Sequence, residues 1–188
     1  PWGPGREELD MLLSRMGYFA DFVAYPVLIA TLGVAAAMYA GGHWAIAAIA
    51  TFLGGLALWT LLEYLLHRFV LHHLPWIRDM HERHHREVLA LVGTPTWLSV
   101  ALFLALVFYP LFWLTDLAMA SGVTAGLMSG YLWYVSVHHL VHHRHPAHSG
   151  YLYKLKRNHA MHHANDACNF GVTSRFWDDV FHTSRPAR

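Results

Sequence analysis

The stretch EYLLHRFVLHH, residues 63–73, joins an apolar segment directly to three histidines, His67, His72 and His73. It lies in a chain that is 55% hydrophobic and only 13% charged. Soluble globular domains usually carry about 25% charged residues. The composition therefore predicts a membrane protein, and this stretch predicts that a histidine-rich segment begins where a membrane span ends.

Four apolar stretches approach the roughly 20 residues that a helix needs to cross a bilayer. They cover approximately residues 19–40, 44–66, 97–114 and 117–140. A backbone in lipid must satisfy its own hydrogen bonds, so all four are predicted to be helices. The predicted fold class is an all-α integral membrane protein with four transmembrane helices and a cytoplasmic helical cap.

The chain of 188 residues is predicted to form a single domain, with residues 1–18 as an interfacial arm before the first span. Within this arm, leucines and Met16 recur at spacings of three and four between Arg6 and Phe19, which favours a short amphipathic helix. All 13 Lys and Arg residues lie on this arm, on the 67–96 loop or on the C-terminal tail. By the positive-inside rule, both termini are predicted to be cytoplasmic.

Three glycines in the fourth apolar stretch, Gly122, Gly126 and Gly130, are spaced four residues apart. They share one face of the predicted helix. Small residues on one face let two membrane helices approach closely, so this face is predicted to be a packing seam without a chemical role.

The 17 histidines are clustered. After the stretch at 63–73 come HERHH at 81–85, HHLVHHRH at 138–145 and HAMHH at 159–163, which gives histidine-rich segments over 67–85 and 138–163. If all four spans cross, the second and fourth end on the same side of the membrane. The helix parity therefore predicts that these clusters meet at one membrane face.

Helical spacing predicts how the imidazoles are directed. Residues three and four apart lie on one helix face, so His81 with His84 and His85, and His159 with His162 and His163, are each predicted to face a common centre. The same holds for His138 and His142, which are four apart. By contrast, His67 and His72 are five apart, which predicts that they serve different metals or flank a distorted turn.

The number of donors favours two metal ions. Ten candidate imidazoles exceed the ligand shell of a single ion, so a centre with four or five nitrogens for each of two ions is predicted. Imidazole suits Fe, Zn, Cu and Ni, and ligand type alone leaves the metal open. Isolated histidines such as His43 and His182 are interpreted as surface residues.

The motifs between about Glu63 and Thr183 resemble those of the fatty acid hydroxylase superfamily, a membrane di-iron group that also includes sterol desaturases and carotenoid hydroxylases. They are HRFVLHH, HERHHRE, GTPTW, HHLVHH, LKRNHAMHH and NFGVTSRFWDDVF. The last motif resembles the bacterial branch, which implies a bacterial inner membrane. The tail departs from the pattern at His182, where a glycine is expected.

The resemblance implies a lipid hydroxylase that uses two iron ions, with zinc as an alternative in purified protein, and O2 as co-substrate. In HHLVHH the first ligand is His138 or His139 and the second His142 or His143; we choose His138 and His142 because they share a helix face. The implied metal ligands are His67, His72, His81, His84, His85, His138, His142, His159, His162 and His163.

Other histidines have no assigned role at this stage. His143, His145 and His148 either support the ligands or simply lie in the loop before Tyr151, and the roles of His73, His139 and His182 also stay open. Two carboxylates, Glu63 and Asp166, are candidates for accepting hydrogen bonds from ligand histidines.

The sequence contains a single cysteine, Cys168, and no recognisable haem-binding, flavin-binding or cysteine-cluster motif. An external electron-transfer protein and a membrane lipid substrate are therefore the expected partners, with no nucleic acid, and the oligomeric state stays open. Two alternatives also remain open. One is a carotenoid or sterol hydroxylase or a desaturase, and the other is a histidine-rich metal transporter or buffer, although transport favours ligands near the midplane of the spans.

Overall fold

The computed structural model describes residues 13–40 and 44–185, and every regular element in these two ranges is helical. The nine α-helices are α1 (Arg15–Phe19), α2 (Asp21–Tyr39), α3 (Trp44–Leu65), α4 (Ile77–Arg86), α5 (Thr96–Phe103), α6 (Tyr109–Leu114), α7 (Leu117–His143), α8 (Tyr151–Ala164) and α9 (Phe176–Val180). Two π-helical segments, Leu66–Leu71 and Leu104–Phe108, continue α3 and α5. The all-α prediction is confirmed for these residues, whereas most of the interfacial arm lies outside them.

Three helices in the described residues are long and apolar enough to cross a membrane: Arg15–Tyr39, Ile46–Leu71 and Thr96–Leu114. They correspond to the first three predicted spans. The fourth predicted span corresponds to α7, which has 27 residues but does not belong to these three. Small and polar residues, including Ser121 and Thr124, are completely buried along α7. A fourth span therefore stays a prediction.

The chain divides into two compact units. The apolar unit comprises the described residues of Ala20–Glu63 and Thr96–Ser136, and the histidine unit comprises those of Pro1–Phe19, Tyr64–Pro95 and Val137–Arg188. The three long apolar helices lie mainly in the apolar unit, whereas all ten predicted metal ligands lie in the histidine unit.

The apolar unit has an aromatic core. Tyr25, Trp59, Leu127, Met128 and Tyr131 are buried against one another, and the Tyr25 and Tyr131 rings lie 4.7 Å apart. These residues come from α2, α3 and α7. The core thus joins three helices through large side chains whose burial removes apolar surface from solvent.

A buried carboxylate, Asp21, also joins helices of the apolar unit. The Thr96 hydroxyl donates to Asp21 Oδ1 at 2.6 Å, and the Tyr131 hydroxyl donates to Oδ2 at 2.8 Å. Buried polar groups need such partners. Because the three residues lie on α2, α5 and α7, these hydrogen bonds fix the relative positions of those helices.

The glycine face of α7 packs directly against α3. A Cβ atom at Gly126 would collide with the backbone oxygen of Phe52 and lie 2.8 Å from the Leu56 nitrogen, and one at Gly130 would collide with the Trp59 side chain. The predicted packing seam is therefore confirmed, because only hydrogen at these positions permits the observed helix separation.

Candidate metal centre

Nine of the ten predicted ligands form two groups within the histidine unit. In each group the ligand nitrogens all lie within 4.8 Å of one another. The five-histidine group contains His67, His72, His81, His85 and His162, and the four-histidine group contains His84, His138, His142 and His159. The tenth, His163, belongs to neither group, but its Nε2 lies 3.1 Å from His159 Nε2.

The π-helical segment Leu66–Leu71 explains how two residues five apart reach the same group. A π-helix bonds residue i to residue i+5 and so stacks the two on one side. Accordingly, the His67 and His72 rings are nearly parallel with centroids 5.4 Å apart. This winding agrees with the predicted distorted turn, and the two imidazoles lie in one group and not in two.

The two His-x-x-His-His boxes do not each face one centre, which corrects the prediction from spacing. In α4, His81 and His85 join the five-histidine group whereas His84 joins the four-histidine group. In α8, His162 joins the former and His159 the latter. Residues at i+3 and i+4 are separated by about 100° around the helix, so one box can direct ligands to two neighbouring centres.

The end of α7 bears on the choice left open within HHLVHH. His138 and His142 lie in the four-histidine group with ring centroids 4.7 Å apart. Their neighbours His139 and His143 stack on each other instead, at 4.5 Å, and His139 Nδ1 lies 3.1 Å from the Tyr18 hydroxyl. The helix face chosen for the ligands is therefore the face that meets the other imidazoles.

Backbone hydrogen bonds orient two imidazoles of the five-histidine group. His67 Nδ1 lies 2.5 Å from the Phe170 carbonyl oxygen, and His162 Nδ1 lies 2.9 Å from the Cys168 carbonyl oxygen. A carbonyl oxygen only accepts, so both Nδ1 atoms carry the proton and both Nε2 atoms present a lone pair. The sequence did not predict these contacts, because a backbone carbonyl is present in every residue and leaves no pattern of residue types.

The lone pairs converge as a cation requires. His67 Nε2 lies 3.1 Å from His81 Nε2, and His162 Nε2 lies 3.1 Å from His72 Nε2. In the four-histidine group, neither nitrogen of the buried His84 has a hydrogen-bond partner among the described residues. Converging nitrogen lone pairs and unpaired buried imidazole atoms are costly without a cation, so the donor set fits transition metal ions.

Burial keeps these imidazoles in the neutral form that binds metals. It lowers the pKa of His84 to about 2 and the pKa of His85 and His162 to about 3, with neighbouring imidazoles adding to the effect for all three. Burial likewise lowers the pKa of His72, His81, His159 and His163. Metal binding therefore does not have to displace protons from these nitrogens at neutral pH.

The remaining residues singled out in the sequence lie in different surroundings. Glu63 is buried near the end of α3, whereas Asp166 is exposed and its charge opposes the lowering of the pKa of His72 and His85. Their suggested role as hydrogen-bond acceptors stays a prediction. The histidines with exposed side chains are His73, His145, His148 and His182, and His43 lies outside the described residues.

These features define a class: a chain whose described regular elements are all helical, with apolar helices long enough to cross a membrane and two adjacent groups of imidazoles suited to metal ions. Comparison with known proteins identifies the family. The family model for fatty acid hydroxylase matches residues 52–183, and the chain belongs to this family.

Similarity to individual named proteins agrees with this family assignment. The chain is 34% identical over 139 residues to dihydroceramide fatty acyl 2-hydroxylase FAH2 of Arabidopsis thaliana, covering 69% of the chain and 58% of that protein. It is 35% identical to ceramide very long chain fatty acid hydroxylase SCS7 of Saccharomyces cerevisiae, covering 69% and 36%. With fatty acid 2-hydroxylase of Rattus norvegicus it shares 34% identity, covering 73% and 40%. The chain thus spans between about a third and three fifths of these relatives.

A solved structure has the same fold. The structure of full-length scs7p, in which only the hydroxylase domain is visible, superimposes with a TM-score of 0.75 at 29% identity. The match covers 97% of this chain and 70% of that one.

Proposed function

We propose that this protein is a membrane-bound non-haem di-iron oxygenase that hydroxylates a C–H bond of a fatty acyl chain or related lipid, using O2 and external electrons. The observation that carries the proposal is the convergence of nine imidazoles into two groups with ligand nitrogens within 4.8 Å of one another. Membership of the fatty acid hydroxylase family supports the choice of reaction.

Each histidine group would hold one iron ion. His67, His72, His81, His85 and His162 are the proposed ligands of one ion, and His84, His138, His142, His159 and His163 are those of the other. Zinc is the alternative occupant in purified protein, since imidazole donors suit both metals. When bound, the two iron ions supply the activation of O2 that an unactivated C–H bond requires.

The protein contributes orientation and exclusion of water. The Phe170 and Cys168 carbonyls fix the tautomers of His67 and His162, so that their Nε2 lone pairs are directed at the centre. His67, His159 and His162 have almost no solvent exposure. A buried centre of this kind protects a reactive intermediate from side reactions with solvent.

The membrane arrangement is also proposed. Residues 1–188 form one hydroxylase-like membrane domain in a bacterial inner membrane, with α7 as the fourth span and with both termini and the metal centre cytoplasmic. The restriction of Lys and Arg to the N-terminal arm, the 67–96 loop and the C-terminal tail supports this orientation. The histidine-rich segments then form the cytoplasmic cap.

A long-chain acyl lipid is the proposed substrate class. The names of the relatives refer to dihydroceramide, ceramide and fatty acyl substrates. A membrane-resident acyl chain also suits a centre carried by helices that follow directly from apolar spans. The electrons are proposed to come from an electron carrier outside residues 1–188, because these residues contain no recognisable redox-cofactor motif.

The experiment compares lipids from cells that express the iron-loaded protein, its His162→Ala variant or its His73→Ala variant. His73 is an exposed histidine outside both groups and serves as the control. Mass spectrometry of lipid extracts is expected to show a product with one added oxygen that requires His162 but not His73. Loss of two hydrogens instead would identify a desaturase. Lipid profiles that do not depend on the protein would refute the oxygenase proposal.

A metal transporter would give a different result from the same preparations. It would change the cellular metal content without changing the lipids, and its metal loading would be exchangeable. The enzyme is expected to retain a fixed two ions per chain, because both groups lie among buried side chains.

A further inference from the structure

The segment Cys168–Gly171, here the 168–171 loop, touches the five-histidine group in two ways. Its carbonyl groups accept hydrogen bonds from His67 and His162, as described above. In addition, the Phe170 ring packs against the imidazoles of His67, His72 and His162, with centroid distances of 6.0, 5.9 and 5.5 Å. The position of this loop therefore sets the position of the imidazoles.

A buried carboxylate is one of the groups that hold the loop. Asp178, in the middle of the short helix α9, has no solvent exposure. Its Oδ1 accepts from the Phe170 N–H at 2.8 Å and its Oδ2 from the Gly171 N–H at 2.8 Å. The Thr183 hydroxyl donates to Oδ1 at 2.8 Å. A buried carboxylate with three donors makes charge-assisted hydrogen bonds, which are stronger than neutral ones.

One peptide group connects Asp178 to His67. The Phe170 carbonyl and the Gly171 N–H belong to the same planar unit. Its N–H donates to the Asp178 carboxylate, and its oxygen accepts from His67 Nδ1. Consecutive hydrogen bonds polarise one another in a low dielectric. The negative charge of Asp178 therefore makes the Phe170 oxygen a better acceptor, which increases the electron density on the His67 ring.

His162 provides an internal comparison. The peptide group whose carbonyl accepts from His162 has the Asn169 N–H on its other side, and this N–H donates to the Thr183 backbone oxygen at 3.1 Å. That chain of hydrogen bonds ends on a neutral carbonyl. Of these two imidazoles, His67 is the one that is linked through a single peptide group to a carboxylate.

The loop turns tightly around this carboxylate. Asn169 has a φ of 55°, in the left-handed region that asparagine tolerates better than most residues. A Cβ atom on Gly171 would collide with the Ser174 carbonyl oxygen and lie 2.9 Å from Asp178 Oδ2. The missing side chain at Gly171 thus allows the carboxylate to reach the backbone.

We propose that Asp178 is a positioning residue for the five-histidine group: through the Phe170–Gly171 peptide group it fixes and electronically tunes His67 as a metal ligand. This inference rests on the proposed ligand assignment, but it makes a separate claim. Loss of the Asp178 charge should affect one of the two bound ions and leave the other nearly unchanged.

Cobalt binding to the purified full-length chain in detergent tests this claim, because Co²⁺ binds imidazole and has visible absorption bands that report its coordination. Metal-free wild type, Asp178→Asn and Asp179→Asn are titrated with Co²⁺. Asp179 is the matched control, since this neighbouring carboxylate is exposed and pairs with Arg175 at 3.1 Å. Asparagine keeps the size of the aspartate side chain but has one acceptor oxygen for two N–H donors and no charge.

The wild type and Asp179→Asn are expected to bind two Co²⁺ with the same bands. Asp178→Asn is expected to bind one ion as the wild type does and the other about 10–100-fold more weakly, the range typical for loss of a residue that supports a ligand. Unchanged binding of both ions, or an equal loss of both together with a lower melting temperature, overturns the inference. Fewer than two ions in the wild type would instead count against the proposed ligand assignment.

If Asp178→Asn does not fold, Asp178→Glu replaces it. Glutamate keeps the negative charge but places it one methylene further from the backbone, so both ions should remain bound. The bands of one ion are expected to shift because His67 changes its position. Bands identical to those of the wild type would then overturn the inference.

Discussion

The imidazoles of His85 and His163 stack face to face, with centroids 4.2 Å apart and planes inclined by 17°. They come from α4 and α8 and connect the five-histidine group with the surroundings of the four-histidine group. His163 is also near the four-histidine group, 3.1 Å from His159 through their Nε2 atoms. The proposed division into five ligands per ion therefore depends on whether His163 is a ligand.

His163→Ala should weaken one of the two ions selectively. If His163 is a ligand of the ion at the four-histidine group, its loss removes one of five nitrogens and lowers the affinity for that ion at least about tenfold. His143→Ala is the matched control, because His143 stacks on His139 outside both groups. Metal analysis after dialysis against a weak chelator measures the effect. If both variants retain the same amount of metal after dialysis, His163 is not a ligand.

The metal-free protein is expected to lose stability in acid. Burial holds the pKa of His84 at about 2 and that of His85 and His162 at about 3 in the fold, against about 6.5 in the unfolded chain. The unfolded state therefore binds more protons than the folded state below pH 6.5. By linkage, stability falls as the pH drops from 6.5 towards 3 and is independent of these groups above 6.5.

Thermal unfolding of chelator-treated protein between pH 7.5 and 4 checks this expectation. Bound metal should shift the loss of stability to lower pH, because the ions compete with protons for the same nitrogens. A melting temperature of the metal-free protein that stays constant down to pH 4 would contradict the burial of these imidazoles.

Gly126→Ala should destabilise the apolar unit. The new methyl group would meet the backbone of Phe52 and Leu56, which cannot move aside as a flexible side chain can. Overpacking of this kind costs about 1–3 kcal/mol. Gly54→Ala is the control on α3, since a Cβ atom there has no described neighbour within 4 Å. Melting temperatures in the same detergent should fall for the first variant and stay within a few degrees of the wild type for the second.

His182→Gly should stabilise the protein. His182 has a φ of 56°, which costs an ordinary L-residue about 1–2 kcal/mol and glycine almost nothing. The greater freedom of glycine in the unfolded chain offsets part of this effect. The net increase in the free energy of unfolding is about 0.5–1 kcal/mol. His182→Ala keeps the strained backbone and should bring no gain. An equal rise in melting temperature for both variants would exclude backbone strain as the cause.

The sequence was informative about the helices because their signals are local. Apolar runs predicted the three long helices suited to a membrane that lie in the described residues, and the glycines of α7 predicted its packing face. The expectation of a glycine at position 182 likewise matches the left-handed backbone found there. The π-helical segment at Leu66–Leu71 was not predicted, and a distorted turn between His67 and His72 was only one of two alternatives, because the five-residue spacing does not show how the helix is wound.

The metal centre was predictable in composition but not in detail. Spacing identified the imidazoles that meet, yet it could not show that His84 separates from His81 and His85, because this depends on where the neighbouring helices lie. The support from Asp178 was not foreseen either. It acts through the backbone of Phe170 and Gly171, and sequence patterns do not show hydrogen bonds made by main-chain atoms.

Anomalous X-ray scattering at the iron edge, from crystals of the iron-loaded protein, tests the central claim most directly. Two iron peaks are predicted, one surrounded by the five-histidine group and the other by the four-histidine group with His163. A single peak, or iron bound away from these imidazoles, would contradict the account.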